Sequence, residues 1–499
     1  MIAIPIVGAT PSEALQTMEK AEAMADCIEI RLDLIPRDVW LSLLKRKKRP
    51  SIVTLRPVRQ GGAFEGEEIS RIRLLEEALG YDPDFIDVEW DTPPHLFGSL
   101  MKKKGDKTGF IVSYHNHSET PDNLDSIVKE VLSRGGDITK IATTANDFDD
   151  NIRILRLTKR LRAKTIALCM GSFGIPSRIL TLREGGYLTF GAVEDGKGSA
   201  PGQISARELR EIYRADQIRP KTRVFGLVGN PISHSLSPVM HNAAFQAVGY
   251  DAVYLPFQVN HFGNLMAHLA AIGVVGFSVT IPYKERIISS LDGVDAESDR
   301  MGAVNTVYRR DGSWFGTNTD VHGAWKALEE TGTDHKGKRW TILGSGGVAR
   351  AIACCAEMHG TPKSLTVIGR KREKLERFLD DLRRNISCPL TGTIFAEADL
   401  GKILGETDII VNATPVGMAP HVGESLIHRH LLRPTHLVFD TVYNPIQTQL
   451  LKDARKQGCR IASGFQMFLH QGVAQFERWT GRPAPFTLME EEARGRLTQ

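Results

Sequence analysis

The sequence predicts an α/β protein in two parts: an N-terminal (β/α)8 TIM barrel over residues 1–215, followed by a two-lobed unit that includes a Rossmann-type sheet. Three observations carry this reading. About eight short β-branched apolar runs recur in the first half, with amphipathic helical segments between them. A small-residue loop (197–203, KGSAPGQ) then gives way to a charged helical segment, a Pro220-Lys221 break and a fresh apolar strand (224–229, VFGLVG), so that one fold ends and another begins. Further on, WTILGSGGVARA (340–351) reads as strand, glycine turn and helix.

At 499 residues the chain exceeds one ordinary core, and its length predicts roughly two to three domains. Its net charge is +4 with 24% charged residues, and Lys and Arg are spread rather than striped. That distribution argues against a nucleic-acid partner and suits anionic metabolites. The six cysteines lie in apolar stretches with no CxxC or Cys/His spacing, so neither a disulfide framework nor a zinc site is expected. No apolar segment is long enough to span a bilayer, and Met1 leads almost directly into a strand-like run. Neither a membrane partner nor a signal peptide is expected, and the predicted compartment is the cytoplasm, or the plastid stroma after removal of a leader.

In chain order the apolar runs of the first half begin at Ala3 (AIPIVGA), Cys27 (CIEIRLDL), Ser51 (SIVTLRP), Phe85 (FIDVEW), Phe110 (FIVSYH), Ile138 (ITKIAT), Thr165 (TIALCM) and Tyr187 (YLTFGAV). Barrel enzymes place their chemistry at the C-terminal ends of such strands. Glu29, Arg31 and Asp33 fall in the second run, Arg56 ends the third, His115 ends the fifth and Lys140 lies inside the sixth. Arg178 follows the seventh, and Ser199 and Gln203 follow the eighth. A lysine within DITKIATTAN would point its amine into the barrel mouth, where burial and neighbouring Arg31 or Arg56 would lower its pKa. A neutral amine can attack a ketone and form an imine. Taken alone, Lys140 reads equally well as a rim lysine snorkelling to solvent or as a partner of Asp137, and His115 as a structural histidine. Together, an imine-forming amine and an imidazole titrating near neutrality are what proton abstraction beside a carbonyl requires.

IEIRLDL, TLRP, SYHNHSETP, DITKIA and KGSAPGQ resemble type I 3-dehydroquinate dehydratase along essentially the whole first half. The resemblance implies that Lys140 forms a Schiff base with the substrate ketone. His115 would be the general acid/base, removing the adjacent proton and then protonating the departing hydroxyl. Glu29, Arg31, Arg56, Arg178, Ser199 and Gln203 would contact the substrate carboxylate and hydroxyls, a task suited to the planar guanidinium fork. Two positions depart from the family pattern: Gln60 stands where Glu is common, and His117 where Phe is usual. If that Glu assists imine formation or hydrolysis, a Gln would slow turnover without abolishing it. The pair His115/His117 finds no third ligand at suitable spacing, so no metal is expected.

In the second half, Gly344, Gly346 and Ala349 fill the G-x-G-x-x-G/A positions, with Gly347 beside them. They allow a tight turn, close approach of a pyrophosphate and close helix-strand packing. The next strand, LTVIG, ends in Gly369-Arg370-Lys371-Arg372 where a carboxylate would bind the ribose of NAD. Basic residues neutralise a 2′-phosphate, so the expected cofactor is NADP, with Arg370 and Lys371 in contact with it. The following charge run, REKLER, reads as a solvated helix start. Strand-to-loop edges in DIIVNATPVGM (408–418), which holds Thr414, and FDTVYNP (439–445) would complete the nicotinamide side. Upstream, SVTIPYK (278–284), GAVNT (302–306) and GTNTD (316–320) each end in a polar cluster, and convergence of Lys284, Asn305 and Asp320 on one pocket is expected. Ser235 and Ser237 stand immediately before Pro238, where a helix start would offer free N–H groups to a small anion.

With NPISHSLSP upstream and GFQMFLHQG (464–472) downstream, these segments resemble shikimate dehydrogenase across nearly the entire second half. By that resemblance Lys284 and Asp320 form the catalytic pair, and Ser235 and Ser237 hold the substrate carboxylate. Thr280, Asn305, Tyr443 and Gln471 would bind hydroxyls or close the pocket, while Thr414 and Gly464 border the cofactor. The cofactor loop departs from the family's frequent Asn-Arg-Thr, reading Gly369-Arg370-Lys371. The implied division is a substrate lobe over 222–325, with 464–499 packing back on it, and a nucleotide lobe over 326–463. The implied reactions are consecutive: 3-dehydroquinate to 3-dehydroshikimate, then NADPH-dependent reduction to shikimate. A preference for quinate and a ligand-sensing regulator derived from these enzymes are the alternatives. Ser235 and Ser237 lean toward shikimate, and the presence of Lys140, His115, Lys284 and Asp320 argues against a decayed regulator.

Overall fold

Short runs of β-branched and apolar residues form strands buried on both faces, the pattern of parallel sheets covered by helices. The computed structural model describes residues 1–161, 163–194, 196 and 198–497. Lys197, at the start of the predicted KGSAPGQ loop, and residues 498 and 499 of the predicted C-terminal segment lie outside the described residues. The chain divides into two compact units, residues 1–238 with 251–274, and residues 239–250 with 275–499.

In the first unit, strands β1 (Ile2–Ile6), β2 (Cys27–Arg31), β3 (Ser51–Thr54), β4 (Phe85–Glu89), β5 (Gly109–His115), β6 (Ile138–Thr144), β7 (Thr165–Met170) and β8 (Thr189–Phe190) form one sheet in the order β7-β6-β5-β4-β3-β2-β1-β8. All pairings along it are parallel. Because β8 is only two residues long, the barrel is nearly rather than fully closed by strand pairing. The Tyr187 N–H, donating to the Thr165 carbonyl at 2.7 Å, spans the gap.

Alternation along each strand builds the interior in layers. Cys27, Ile52, Ile111, Ile138 and Ile166 belong to one apolar cluster, with Phe85 packed against it. Two residues further along each of four strands stand Glu29, Asp87, Ser113 and Lys140. A dry floor therefore supports a polar layer at the C-terminal ends of the strands. The outer helices are anchored by side chains as well. Asp147 and Asp150 form a capping box on the helix Phe148–Arg160. From that helix Asn151, fully buried, donates to the Phe173 carbonyl at 2.8 Å and accepts from the Ser177 N–H at 3.0 Å, which fixes the start of the helix Ile175–Arg183. The first unit also holds β9 (Arg223–Gly229) and β10 (Ala252–Gln258), paired in parallel.

In the second unit, β11 (Val274–Val279), β12 (Gly293–Val294), β13 (Thr306–Arg310) and β14 (Ser313–Thr317) form a mixed arrangement: β11 and β14 flank β13 antiparallel, and β12 lies parallel to β14. Then come β15 (Arg339–Leu343), β16 (Ser364–Gly369), β17 (Leu390–Ile394), β18 (Ile409–Asn412), β19 (Leu437–Asp440) and β20 (Arg460–Ser463), all parallel, in the order β17-β16-β15-β18-β19-β20. This is the doubly wound order, and its crevice opens where the order reverses, between β15 and β18.

Asn151→Ala strips two buried backbone groups of their partners, and is expected to destabilise the first unit by about 1–3 kcal/mol. Urea unfolding measures this, and a midpoint equal to that of the parent chain contradicts the anchoring role.

Candidate active sites

At the C-terminal end of the barrel a cavity is walled by Glu29, Arg31, Arg56, His115, Lys140 and Arg178, and also by Ser199 and Gln203. All the barrel residues predicted from sequence therefore meet in one place. Lys140 is 5% exposed, and its Nζ donates to Asp87 Oδ2 at 2.8 Å and to Glu29 Oε1 at 3.4 Å, 4.5 Å from the centre of the Phe190 ring. Its charged neighbours are thus carboxylates, not the arginines expected to act on it. Asp137, the alternative partner, pairs instead with Lys104 at 2.7 Å. An ion-paired ammonium must pass a proton to a neighbour before its nitrogen can attack a carbonyl.

Arg56 ties this group together. Its Nη2 donates to Asp87 Oδ2 at 3.0 Å, and its Nη1 donates to Glu89 Oε1 at 3.1 Å, Ser113 Oγ at 3.2 Å and His115 Nδ1 at 3.0 Å. A guanidinium can only donate, so Nδ1 accepts and the neutral ring carries its proton on Nε2. Burial in the mouth, then the charges of Arg56 and Lys140, hold His115 well below the usual histidine value. This corrects the expectation of titration near neutrality: the ring is uncharged at neutral pH, the form a general base needs. Burial opposes ionisation of Asp87, yet Arg56 and Lys140 hold its carboxyl well below the usual carboxylate range. For Glu89 burial prevails over Arg71 and Arg56 and pushes the carboxyl up.

Arg31 is paired with Asp33 at 2.8 Å. Among the described residues Arg178, 1% exposed, reaches only the Pro201 carbonyl at 3.3 Å, and its Nε has no partner. Burial pulls its pKa down to about 10. A buried guanidinium with no carboxylate partner among the described residues is suited to receive the carboxylate of a ligand. Ser199 and Gln203 are joined, the Ser199 N–H donating to Gln203 Oε1 at 2.8 Å. Sequence reading missed Asp87, Glu89 and Ser113. The available signal was in FIDVE, where two carboxylates two residues apart share one face of a strand otherwise made for a barrel core.

The second unit brings Lys284, Asn305 and Asp320 together. Lys284 Nζ donates to Asp320 Oδ2 at 2.6 Å, and Asn305 Nδ2 donates to Asp320 Oδ1 at 2.8 Å. Asp320 opens the helix Asp320–Glu329, where the helix dipole favours negative charge. Asn305 Oδ1 accepts from the Thr319 N–H at 2.8 Å and from Thr306 Oγ1 at 2.7 Å, so the amide is locked. Gln471 Oε1 lies 3.5 Å from Asn305 Nδ2. Tyr443 stacks on Phe468 at 4.9 Å, and burial raises its phenol. Thr280 directly follows β11, its carbonyl accepting from the Tyr283 N–H at 2.9 Å. Gln475 was missed: one turn beyond Gln471 on the helix Gly464–Thr480, it accepts from Ser278 Oγ at 2.8 Å and donates to Thr306 Oγ1 at 3.0 Å. Ser235 and Ser237 belong to the first unit, where the Ser237 N–H donates to Ser235 Oγ at 3.3 Å. The helix there runs Ser237–Ala247, one residue earlier than Pro238 suggested.

The dinucleotide residues surround the switch point of the parallel sheet. Gly344 has φ +115°, and a Cβ there would come within 2.7 Å of the Ala413 carbonyl oxygen, so glycine alone lets the loops after β15 and β18 approach. A Cβ at Gly346 would meet nothing within 4 Å, leaving open space before the helix Gly347–Cys355, whose N-terminal N–H groups favour an anion. Ala349 is fully buried against the sheet. Thr414 Oγ1 donates to Asn412 Oδ1 at 2.7 Å, and a Cβ at Gly464 would sit 2.3 Å from the Thr441 carbonyl oxygen. Arg370 and Lys371 follow β16, both exposed. A glycine turn for a pyrophosphate and exposed cations for an extra phosphate fit NADP.

Comparison with known proteins gives concordant matches in chain order. Family models match for type I 3-dehydroquinase over residues 2–220, shikimate dehydrogenase substrate binding domain over 227–307, saccharopine dehydrogenase NADP binding domain over 340–459 and shikimate 5'-dehydrogenase C-terminal domain over 464–494. The chain is 36% identical over 502 residues to the bifunctional 3-dehydroquinate dehydratase/shikimate dehydrogenase of Arabidopsis thaliana, described as chloroplastic, covering 94% of this chain and 80% of that relative. It is 42% identical over 282 residues to a shikimate dehydrogenase (NADP(+)) of Moorella thermoacetica, covering 56% of this chain and 95% of the relative. A crystal structure of a shikimate dehydrogenase in complex with NADP+ matches with a TM-score of 0.52 at 37% identity, covering 56% of this chain and 97% of that one.

Asp440, fully buried at the end of β19, accepts from Thr448 Oγ1 at 2.5 Å and Asn412 Nδ2 at 2.9 Å, yet burial pushes its carboxyl up to about 6. A raised folded-state value means the native state holds the proton more tightly, so stability falls as pH rises from about 4 through about 6. Asp440→Asn is expected to stabilise the protein by about 1–3 kcal/mol at about pH 7.5 and by little at about pH 4.5. Urea unfolding at the two pH values reads this directly, and an equal gap at both contradicts it.

Proposed function

The chain belongs to the family of bifunctional 3-dehydroquinate dehydratase/shikimate dehydrogenases, and from that premise we propose how its own residues divide the work. It is a lyase and an NADP-dependent oxidoreductase of the shikimate pathway, converting 3-dehydroquinate to 3-dehydroshikimate and then reducing that product to shikimate. The domain division proposed is 1–215 for the dehydratase, 222–325 with 464–499 for the substrate lobe of the dehydrogenase, and 326–463 for its NADP lobe; the extents of the family matches support it.

In the barrel, Lys140 is the nucleophile. Its ammonium and the substrate ketone become a protonated imine and water, two protons passing from nitrogen to the oxygen that leaves. The imine draws electrons from the adjacent carbon, and uncharged His115 removes the proton there, then gives it to the departing hydroxyl. Water returns the ketone and frees Lys140. Arg178, buried with no carboxylate partner among the described residues, takes the substrate carboxylate; Arg31, Arg56, Glu29, Ser199 and Gln203 orient the hydroxyls and the ring. The observation that carries this reading is a lysine 5% exposed on the wall of the same cavity as His115 and Arg178.

For the reduction, Gly344, Gly346, Gly347, Ala349, Thr414 and Gly464 would hold NADPH, with Arg370 and Lys371 toward its 2′-phosphate, and the cofactor when bound would supply hydride to the ketone carbon. Lys284 stabilises the developing alkoxide and delivers its proton, while Asp320 and Asn305 hold that ammonium in place. Ser235 and Ser237 bind the carboxylate, and Thr280, Tyr443 and Gln471 bind hydroxyls. We further place the protein in the cytoplasm or a plastid stroma, a reading supported by the chloroplastic relative and by the unpaired cysteines among the described residues. No helix among them is long and apolar enough to cross a membrane.

Lys140→Ala is expected to abolish dehydration while leaving reduction of supplied 3-dehydroshikimate intact, both followed in the full chain; retained dehydration, or loss of both activities, contradicts the assignment. Because His115 is held below the usual value, kcat/KM for dehydration is expected to keep its plateau to below about pH 6.5. An acid limb at or above that pH contradicts the account of the base.

A further inference from the structure

His117 takes no part in the mechanism above, yet its side chain forms part of the dehydratase cavity wall. Among the titratable residues of that wall, Glu29, Arg31, Arg56, Lys140 and Arg178 are buried and His115 is half-buried, whereas His117 is exposed at the rim. Its ring lies nearly parallel to that of His115, 18° between planes and 6.4 Å between centres. One residue places both. The Gln60 side-chain carbonyl accepts from the His115 N–H at 2.9 Å, and the Gln60 backbone carbonyl lies 3.2 Å from His117 Nε2. A carbonyl can only accept, so His117 keeps its Nε2 proton there and holds a free lone pair at Nδ1. Glycine at 61, with φ +76°, leaves room for that ring: a Cβ there would fall 1.9 Å from Nε2. The Gln60 amide also donates to Asp91 Oδ2 at 3.4 Å.

We propose that His117 is a proton-exchange residue of the dehydratase, passing protons between solvent and the interior of the mouth where His115 and Lys140 react. The inference rests on the reading of the barrel given above. Making the imine moves two protons from the Lys140 nitrogen to the departing oxygen, and hydrolysis moves two back, so the cycle needs groups that both take and return a proton. Gln60 cannot exchange one, and Arg56 can only donate to His115 Nδ1. The charges facing His117 are Arg31 on β2, itself paired with Asp33, and Arg56 after β3, with the ring of His115 beside it at the end of β5. Burial, opposed by the bond to Gln60, and then these guanidiniums lower its pKa, so that the ring is a neutral acceptor at physiological pH.

The test compares the full-length parent with His117→Phe and His117→Gln, following dehydration of 3-dehydroquinate across pH, with reduction of 3-dehydroshikimate as the control for folding. Gln fills the same space and can still donate to the Gln60 carbonyl, but does not titrate. Both variants are expected to lose roughly ten-fold or more in kcat with KM little changed, to alter the pH profile, and to recover when imidazole is added. The control reaction should be unaffected. A His117→Phe enzyme with the parent's kcat and pH profile overturns the proposal, as does a His117→Gln enzyme that restores the parent's rate. A loss that imidazole leaves untouched overturns it too. A parent chain without dehydratase activity would instead overturn the reading of the barrel, and this inference with it.

Discussion

The lattice of buried charges in the barrel mouth is the constraint on which the first active site depends. Lys140 is held between Asp87 and Glu29, Asp87 is shared with Arg56, and Arg56 reaches on to Glu89 and His115; Arg71 closes the far side of Glu89. None of these charges would be tolerable alone in such a setting, and removing one partner of a buried pair typically costs about 3–5 kcal/mol. The pairing fixes the positions of the reactive groups before any substrate arrives. It also ties the lysine and the histidine into one network, because Asp87 touches both the lysine and the arginine that donates to the histidine. Arg178 is the exception, a buried cation without a carboxylate partner among the described residues. An imbalance of this sort is affordable in a protein only where a ligand completes it.

The second active site reaches a comparable end with neutral groups. Asn305 is locked by Thr306 and Thr319, and in turn holds the Asp320 carboxylate, which holds Lys284. Only the last link is an ion pair. The dinucleotide region relies on absent side chains: positive φ at Gly344 and the open space over Gly346 bring backbone N–H groups to a surface that a Cβ would cover. In both halves the reactive groups cluster at or beyond the ends of strands, because there the backbone has left the ladder while its direction is still fixed by it.

Much of this was legible in the sequence. The eight apolar runs marked the barrel strands, and Lys140, His115 and the arginines stood where such strands end, because period-two burial and strand-end polarity are both local patterns. The glycine fingerprint placed the dinucleotide crevice for the same reason. What the sequence did not reveal was which charges touch. Lys140 was expected beside arginines and meets Asp87, since the partner of a barrel residue comes from strands far away in sequence and depends on register. Asp87 and Glu89 were hidden inside a run that reads as core. The uncharged state of His115 was equally out of reach, because it follows from the combined burial and proximity of Arg56 and Lys140. Gln475 could be suspected only from its place one helical turn after Gln471.

The central claim is that the nitrogen of Lys140 becomes covalently joined to the substrate carbon. Sodium borohydride added to the full chain with 3-dehydroquinate would reduce such an imine to a stable amine, and peptide mass mapping would locate it. The account predicts a single adduct on the peptide containing Lys140, formed only with substrate present. No adduct, or one on a different lysine, would contradict it.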